Sequence, residues 1–182
     1  DVYQKHSLPL PPLRHVCNSG GILNLPNAYF DLVRPGVLFY GVYPGEEVDR
    51  CIDVKPALTW RSHVAFSKRT QAGRPISYGS LWQSESETGI VTIPCGYADG
   101  YFRRMTNRAQ VLINQKRYPQ VGRICMDQFM VNVGEDEVSI GDEVVLLGEG
   151  IFAEDLALWM GTNEYEVMTN ISARVPRVFV EE

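Results

Sequence analysis

Beyond about residue 57 the chain is written as short β-favouring stretches with turn chemistry between them, and this alternation restricts its fold more than any other feature. Residues 57–66, 89–94, 109–113, 119–124, 129–133 and 143–147 are rich in β-branched, aromatic and other apolar residues, with partial alternation. Asn114-Gln115-Lys116-Arg117 supplies a hairpin-like turn between two of them. Strands recurring roughly every 10–20 residues, with turns between, indicate a closed β structure. Two helices then interrupt. Residues 153–160 run into Gly161, a C-terminal cap, and residues 163–169 start at Asn163, an N-cap type residue. A last strand is expected over 175–180, with Pro176 placing it at an edge or a strand start.

Residues 1–55 have a different texture. The first 14 are polar, carry Pro9, Pro11 and Pro12, exclude a regular helix and read as a loop or arm. Arg14-His15-Val16-Cys17 reads as a short strand running into Asn18-Ser19-Gly20-Gly21 and a short helical segment from Ile22. Strand, small polar turn, then helix is the shape that presents N–H groups and a hydroxyl to a phosphate, although such a turn alone is generic. Arg34 lies within an apolar run, where an arginine needs a partner or a ligand, and Gly36 lets backbone approach an anion. Residues 42–55, with Pro44, Gly45 and several charges, form a linker by composition, and a domain boundary is placed after residue 43.

At 182 residues, 45% hydrophobic and 21% charged, the chain fits a soluble globular protein of one domain, or one domain and a piece of another. The 17 basic and 22 acidic residues give a net charge of −5 with no basic patch, which argues against a nucleic-acid partner. Cys17, Cys51, Cys95 and Cys125 are widely spaced without histidine pairs, which argues against a metal site. Counting alone leaves disulfides open, but scattered cysteines beside apolar residues fit buried hydrophobes in a reducing, cytoplasmic compartment. No apolar run approaches the roughly 18 residues of a membrane span. The start at Asp1, without a methionine, points to a fragment, a processed chain or a trimmed one.

Three later segments press polar or reactive side chains against glycines: Pro75-Ile76-Ser77-Tyr78-Gly79, Gly96-Tyr97-Ala98-Asp99-Gly100 and Gly122-Arg123-Ile124-Cys125-Met126-Asp127-Gln128. Each alone reads as a turn or a half-buried tyrosine. Their ordered succession points to loops converging on a site. Together with His15-Val16-Cys17-Asn18-Ser19, Val33-Arg34-Pro35-Gly36-Val37 and Arg174-Val175-Pro176-Arg177, they resemble the pyridoxal-phosphate-dependent alanine racemases. The resemblance runs over nearly the whole chain from about His15, in the family's order.

The resemblance implies a mainly β fold. Residues 1–43 would be the last strand-helix-strand remnant of an N-terminal α/β (TIM-type) barrel, and residues 44–182 a C-terminal β-barrel-like domain. It implies interconversion of L- and D-alanine, which supplies D-alanine for the peptidoglycan cell wall, with pyridoxal 5'-phosphate as cofactor. Asn18, Ser19, Gly36 and Val37 would hold the cofactor, the last three through its phosphate. Arg34 would hydrogen-bond the pyridine nitrogen with His15 orienting it. A guanidinium stays protonated, so it disfavours a proton on that nitrogen and weakens the ring as an electron sink.

Tyr78 would be one of two opposed bases at the substrate α-carbon. An ordinary tyrosine, with a pKa of about 10, needs about 4 kcal/mol of differential stabilisation to ionise at neutrality. Met126, Tyr97, Arg123 and Asp127 would contact the substrate or narrow the approach to it. In the family the sites lie between the barrel of one subunit and the β domain of the other, which implies a homodimer and a missing N-terminal barrel half as partners. Lys5, Lys55, Lys68 and Lys116 do not match the family's cofactor-anchoring lysine, so the chain is expected to be the C-terminal half and inactive alone. Ala173 stands where some members carry a tyrosine that touches the phosphate. Two other readings fit the same residues: a non-catalytic β-barrel module for binding or dimerisation, and a racemase for serine or another amino acid.

Overall fold

The protein is described by a computed structural model over residues 2–180. The chain divides into two compact units, one ending at Lys55 and one beginning at Pro56. The compact first unit takes in residues 44–55. The reason is apolar: Tyr43, Val48 and Val54 pack on the buried cluster of Cys17, Ile22, Leu23 and Leu38. Asp49 N–H also donates to Asn24 Oδ1 at 2.9 Å.

In the first unit, α1 (Val2–Lys5) is a single helical turn ahead of the prolines, where only a loop was expected. α2 (Ser19–Asn24) starts on Asn18, whose Oδ1 accepts from Gly21 N–H at 3.0 Å. It ends before Pro26, which supplies no N–H to continue it. The strand expected at Arg14–Cys17 does not form. Backbone bonds tie that stretch to residues 31–34 at its two ends, by Asp31 N–H to Arg14 O (3.1 Å) and Arg34 N–H to Cys17 O (2.9 Å), and between them the contact to His15 comes from the Arg34 side chain. The Arg14–Asp31 ion pair (2.9 Å) reinforces the first of these ties. A short 3-10 turn over Gly36–Tyr40 completes the unit and buries Val37 and Leu38.

The second unit is antiparallel. Its strands are β1 (Trp60–His63), β2 (Phe66–Thr70), β3 (Pro75–Ile76), β4 (Trp82–Gln83), β5 (Thr88–Ile93), β6 (Gln110–Ile113), β7 (Lys116–Val121), β8 (Phe129–Gly134) and β9 (Glu143–Leu147). Seven of them form one sheet in the order β1-β9-β6-β7-β8-β5-β2, and β3 pairs with β4. β1 and β2 lie at opposite ends of this order, yet only Val64 and Ala65 separate them in sequence. The sheet must therefore curl until its ends meet. The single strand expected over 57–66 breaks there because the bonding partner changes: Val64 N–H donates to Asp142 O and Ala65 N–H to Thr92 O, both at 2.9 Å.

Asn114 and Gln115 both take left-handed φ (50° and 63°), as the two central residues of a tight hairpin require. β7 consequently starts at Lys116, directly opposite Ile113, rather than at Pro119. It ends where Gly122 turns to φ +70°.

Alternation along β6 and β8 directs Val111, Ile113, Phe129 and Val131 inward, and all are fully buried. Each such side chain contributes roughly 1.5–3 kcal/mol by leaving water. Tyr101 stacks on Phe129 with centroids 4.5 Å apart and meets Trp60 edge-on at 6.1 Å. Its hydroxyl has no partner among the described residues, and burial pushes it far above the usual tyrosine range.

α3 (Ala153–Met160) ends at the left-handed Gly161, and α4 (Glu164–Thr169) starts at Asn163, whose side chain accepts from Glu166 N–H at 3.0 Å. The strand expected over 175–180 is absent. Arg177 instead donates to the carbonyls of Ile171, Ser172 and Val175, which turns the chain back on itself, and Val178, Phe179 and Val180 are exposed.

Candidate active site

The candidate residues fall into two groups, one in each unit. In the first, the cap at Asn18 brings Ser19 to the start of α2, where its hydroxyl donates to Pro35 O and accepts from Leu38 N–H at 3.2 Å. Those bonds hold the Gly36–Val37 corner beside Ser19. Gly36 takes φ +43°, and the N–H groups of Gly36 and Val37 have no partner among the described residues. Arg34 reaches His15: its guanidinium lies against Nδ1 and donates to the His15 carbonyl at 3.4 Å. A guanidinium donor leaves Nδ1 as the acceptor, so His15 holds Arg34 as an orienting group. Amides, a hydroxyl and a guanidinium make a set of donors, which suits a phosphate and a pyridine nitrogen.

In the second unit, Tyr78, Tyr97, Arg123, Met126 and Asp127 line one concavity of about 750 Å³, together with Gly79, Arg103, Cys125 and Gln128. The loop after β3 supplies Tyr78 and Gly79, the stretch between β5 and β6 supplies Tyr97 and Arg103, and the segment between β7 and β8 supplies Arg123, Cys125, Met126, Asp127 and Gln128. Tyr78 is 74% exposed and Met126 52%, so both side chains project from the unit.

Gly96 brings these loops into contact. A Cβ there would lie 2.3 Å from the carbonyl oxygens of both Cys125 and Met126. Its absence allows Tyr97 N–H to bond Cys125 O (3.1 Å) and Ala98 N–H to bond Met126 O (3.0 Å). Arg174 secures the rim, donating to Asp127 at 2.8 Å and standing 3.3 Å from Asp99. The Asp127 hydrogen bond, then the Asp99 charge, raise the Arg174 pKa. Burial, reinforced by Asp99 and opposed by Arg174, pushes the nearby Cys95 thiol far above its usual range.

Arg103 was not singled out from the sequence. It sits on a single 3-10 turn (Arg103–Met105) pinned by the fully buried Met105. Two adjacent arginines three residues beyond a glycine-bounded motif were the available signal.

A curled antiparallel sheet whose loops gather around one arginine-bearing pocket is the architecture of the β domain that follows the barrel in the alanine racemases. The chain belongs to the alanine racemase family. Residues 57–179 match the C-terminal domain of alanine racemase and residues 1–44 match its N-terminal domain. The alanine racemase of Carboxydothermus hydrogenoformans is 52% identical over 173 residues, which cover 92% of this chain and 47% of that protein. The crystal structure of the alanine racemase of Streptomyces lavendulae is similar over 100% of this chain and 49% of its own, with TM-score 0.92 and 42% identity. That of Bartonella henselae, with covalently bound pyridoxal phosphate, is similar over 97% and 49%, with TM-score 0.89 and 30% identity. The chain thus spans about half the length of the relatives it matches.

Proposed function

We propose that this chain is the C-terminal half of an alanine racemase that works as a cytoplasmic homodimer and supplies D-alanine for the cell wall. The observation that carries the reading is the projection of the Tyr78 phenol from a pocket lined by Tyr97, Arg123 and Met126. When bound, pyridoxal phosphate acidifies the substrate α-carbon by acting as an electron sink. Ser19 would hold the phosphate with the amides of Gly36 and Val37; its O–H needs only to rotate away from Pro35 O. Asn18 fixes that corner through its cap. Arg34, held by His15, would meet the pyridine nitrogen as a permanent cation.

Racemisation requires a base on each face of the α-carbon, one to take the proton and one to return it. Tyr78 holds or removes the proton at one face, and the second base and cofactor anchor come from the N-terminal half. Arg123 and Asp127 orient the substrate side of the pocket, while Tyr97 and Met126 restrict its opening and exclude water. The exposed Tyr78 completes the site of the second subunit.

The test is α-proton exchange in deuterated solvent from each alanine enantiomer, with full-length enzyme and pyridoxal phosphate. Tyr78→Phe keeps the ring and deletes the hydroxyl. It should slow exchange from one enantiomer by about 10²–10⁴-fold, the usual contribution of a positioned acid or base. Equal, wild-type exchange from both enantiomers would refute the role of Tyr78. Racemisation by the 182-residue chain alone would refute the division of the site.

A further inference from the structure

The backbone around Tyr78 has a conformation its residue types do not favour. Ser77 sits at φ 66°, ψ 177°, a region that is essentially confined to glycine. Gly79 and Ser80 follow with φ 76° and 51°, so three of the four residues 77–80 have positive φ. Tyr78 between them is 74% exposed, and its hydroxyl has no hydrogen-bond partner among the described residues. The direction of the phenol is therefore set by the backbone beneath it rather than by packing of the ring.

What holds that backbone is the segment after β7. Ser77 Oγ donates to Arg123 O at 2.7 Å and lies 3.5 Å from Cys125 Sγ. Arg123 Nε donates to Tyr78 O at 3.3 Å. Gly122 lets the two strands of backbone approach: a Cβ there would be 2.6 Å from Ile76 O and 2.9 Å from Ser77 Cβ. The hydroxyl tether and the Arg123 contact thus flank the base on both sides.

We infer that Ser77 is a positioning residue for the racemase reaction: its hydroxyl tethers a glycine-like backbone to Arg123 O and so aims the Tyr78 phenol. The role in turnover rests on the racemase reading above; the backbone claim stands on its own. A serine combines two properties that neither small neighbour has. Alanine keeps the steric penalty at this φ but loses the tether, so its backbone relaxes and carries Tyr78 with it. Glycine loses the tether but accepts the conformation freely.

The experiment compares Ser77→Ala and Ser77→Gly in the full-length enzyme, by enantiomer-resolved proton exchange and by crystal structures of both variants. Ser77→Ala should slow exchange from the enantiomer served by Tyr78 by about a hundredfold, the cost of roughly an ångström of misplacement. Exchange from the other enantiomer and KM should stay near wild type, which a general loss of folding does not produce. Ser77→Gly should retain more of the rate. In the crystal, residue 77 should return to negative φ in Ser77→Ala and keep positive φ in Ser77→Gly. An alanine variant that keeps positive φ and the phenol in place overturns the inference, as does a glycine variant slowed as much as the alanine one. If wild-type enzyme fails to racemise alanine, the functional reading falls, and the two crystal structures still decide the backbone claim.

Discussion

Gly96 and Gly73 allow close contact and backbone strain to be separated within one domain. At Gly96 an added methyl would lie 2.3 Å from two carbonyl oxygens, far inside van der Waals contact, and the φ is not left-handed. At Gly73 the φ is +72° and nothing lies within 4 Å of an added Cβ. Gly96→Ala therefore pushes the Tyr97 loop off the Cys125–Met126 backbone. It threatens the 3.1 Å and 3.0 Å hydrogen bonds that join them. Overpacking contributes roughly 1–3 kcal/mol and each lost hydrogen bond about 1 kcal/mol, giving a destabilisation of about 4 kcal/mol. Gly73→Ala pays only for its backbone conformation, about 1 kcal/mol. Thermal unfolding followed by circular dichroism on the full-length protein ranks the two, and crystal structures report the loop separation. A Gly96→Ala protein that melts with or above Gly73→Ala would refute the argument that this contact is backbone against backbone.

Two further outcomes follow from charge and burial. Lys116, then the Tyr118 hydroxyl, hydrogen-bond Asp136 and hold its pKa below the usual aspartate range. This contribution to stability is present above the ordinary aspartate pKa and is lost as pH falls through the depressed value, so an NMR titration should find Asp136 titrating below a free aspartate and Lys116→Ala should move it up. The buried Cys17 and Cys95 should resist a thiol reagent in native protein and react only on unfolding, whereas Cys51 is exposed on its unit; rapid native labelling of Cys95, detected by mass spectrometry, would contradict its burial.

Legibility in the sequence followed the range of the interaction that decides each feature. The ends of α3 and α4 were readable because Gly161 and Asn163 act on their own turns. The hairpin at Asn114-Gln115 was readable for the same reason. The break at Val64-Ala65 was not, since it depends on Asp142 and Thr92, which are remote in sequence. The 175–180 stretch has strand composition, but Arg177 turns toward its own upstream carbonyls and no strand among the described residues pairs with it. Tyr78, Tyr97, Arg123, Met126 and Asp127 could be gathered into one pocket because each lies in a glycine-marked loop. The backbone of Ser77 could not be read, because a serine carries no mark of left-handed φ as a glycine does.

The meeting of β1 with β9 fixes an order of events during synthesis. Trp60 pairs with Leu147, and Arg61 with Val145. Until the residues near 147 have left the ribosome, β1 has no hydrogen-bonding partner, and the sheet cannot close by extending pairs of sequence neighbours. Closing so long a loop carries an entropic cost that grows with the logarithm of its length and must be met before the contacts it enables are gained. A nascent chain halted before β9 would therefore present its apolar sheet face and unpaired edges together. For this domain, vulnerability to chaperone capture and proteolysis is concentrated in the interval before its last strand emerges.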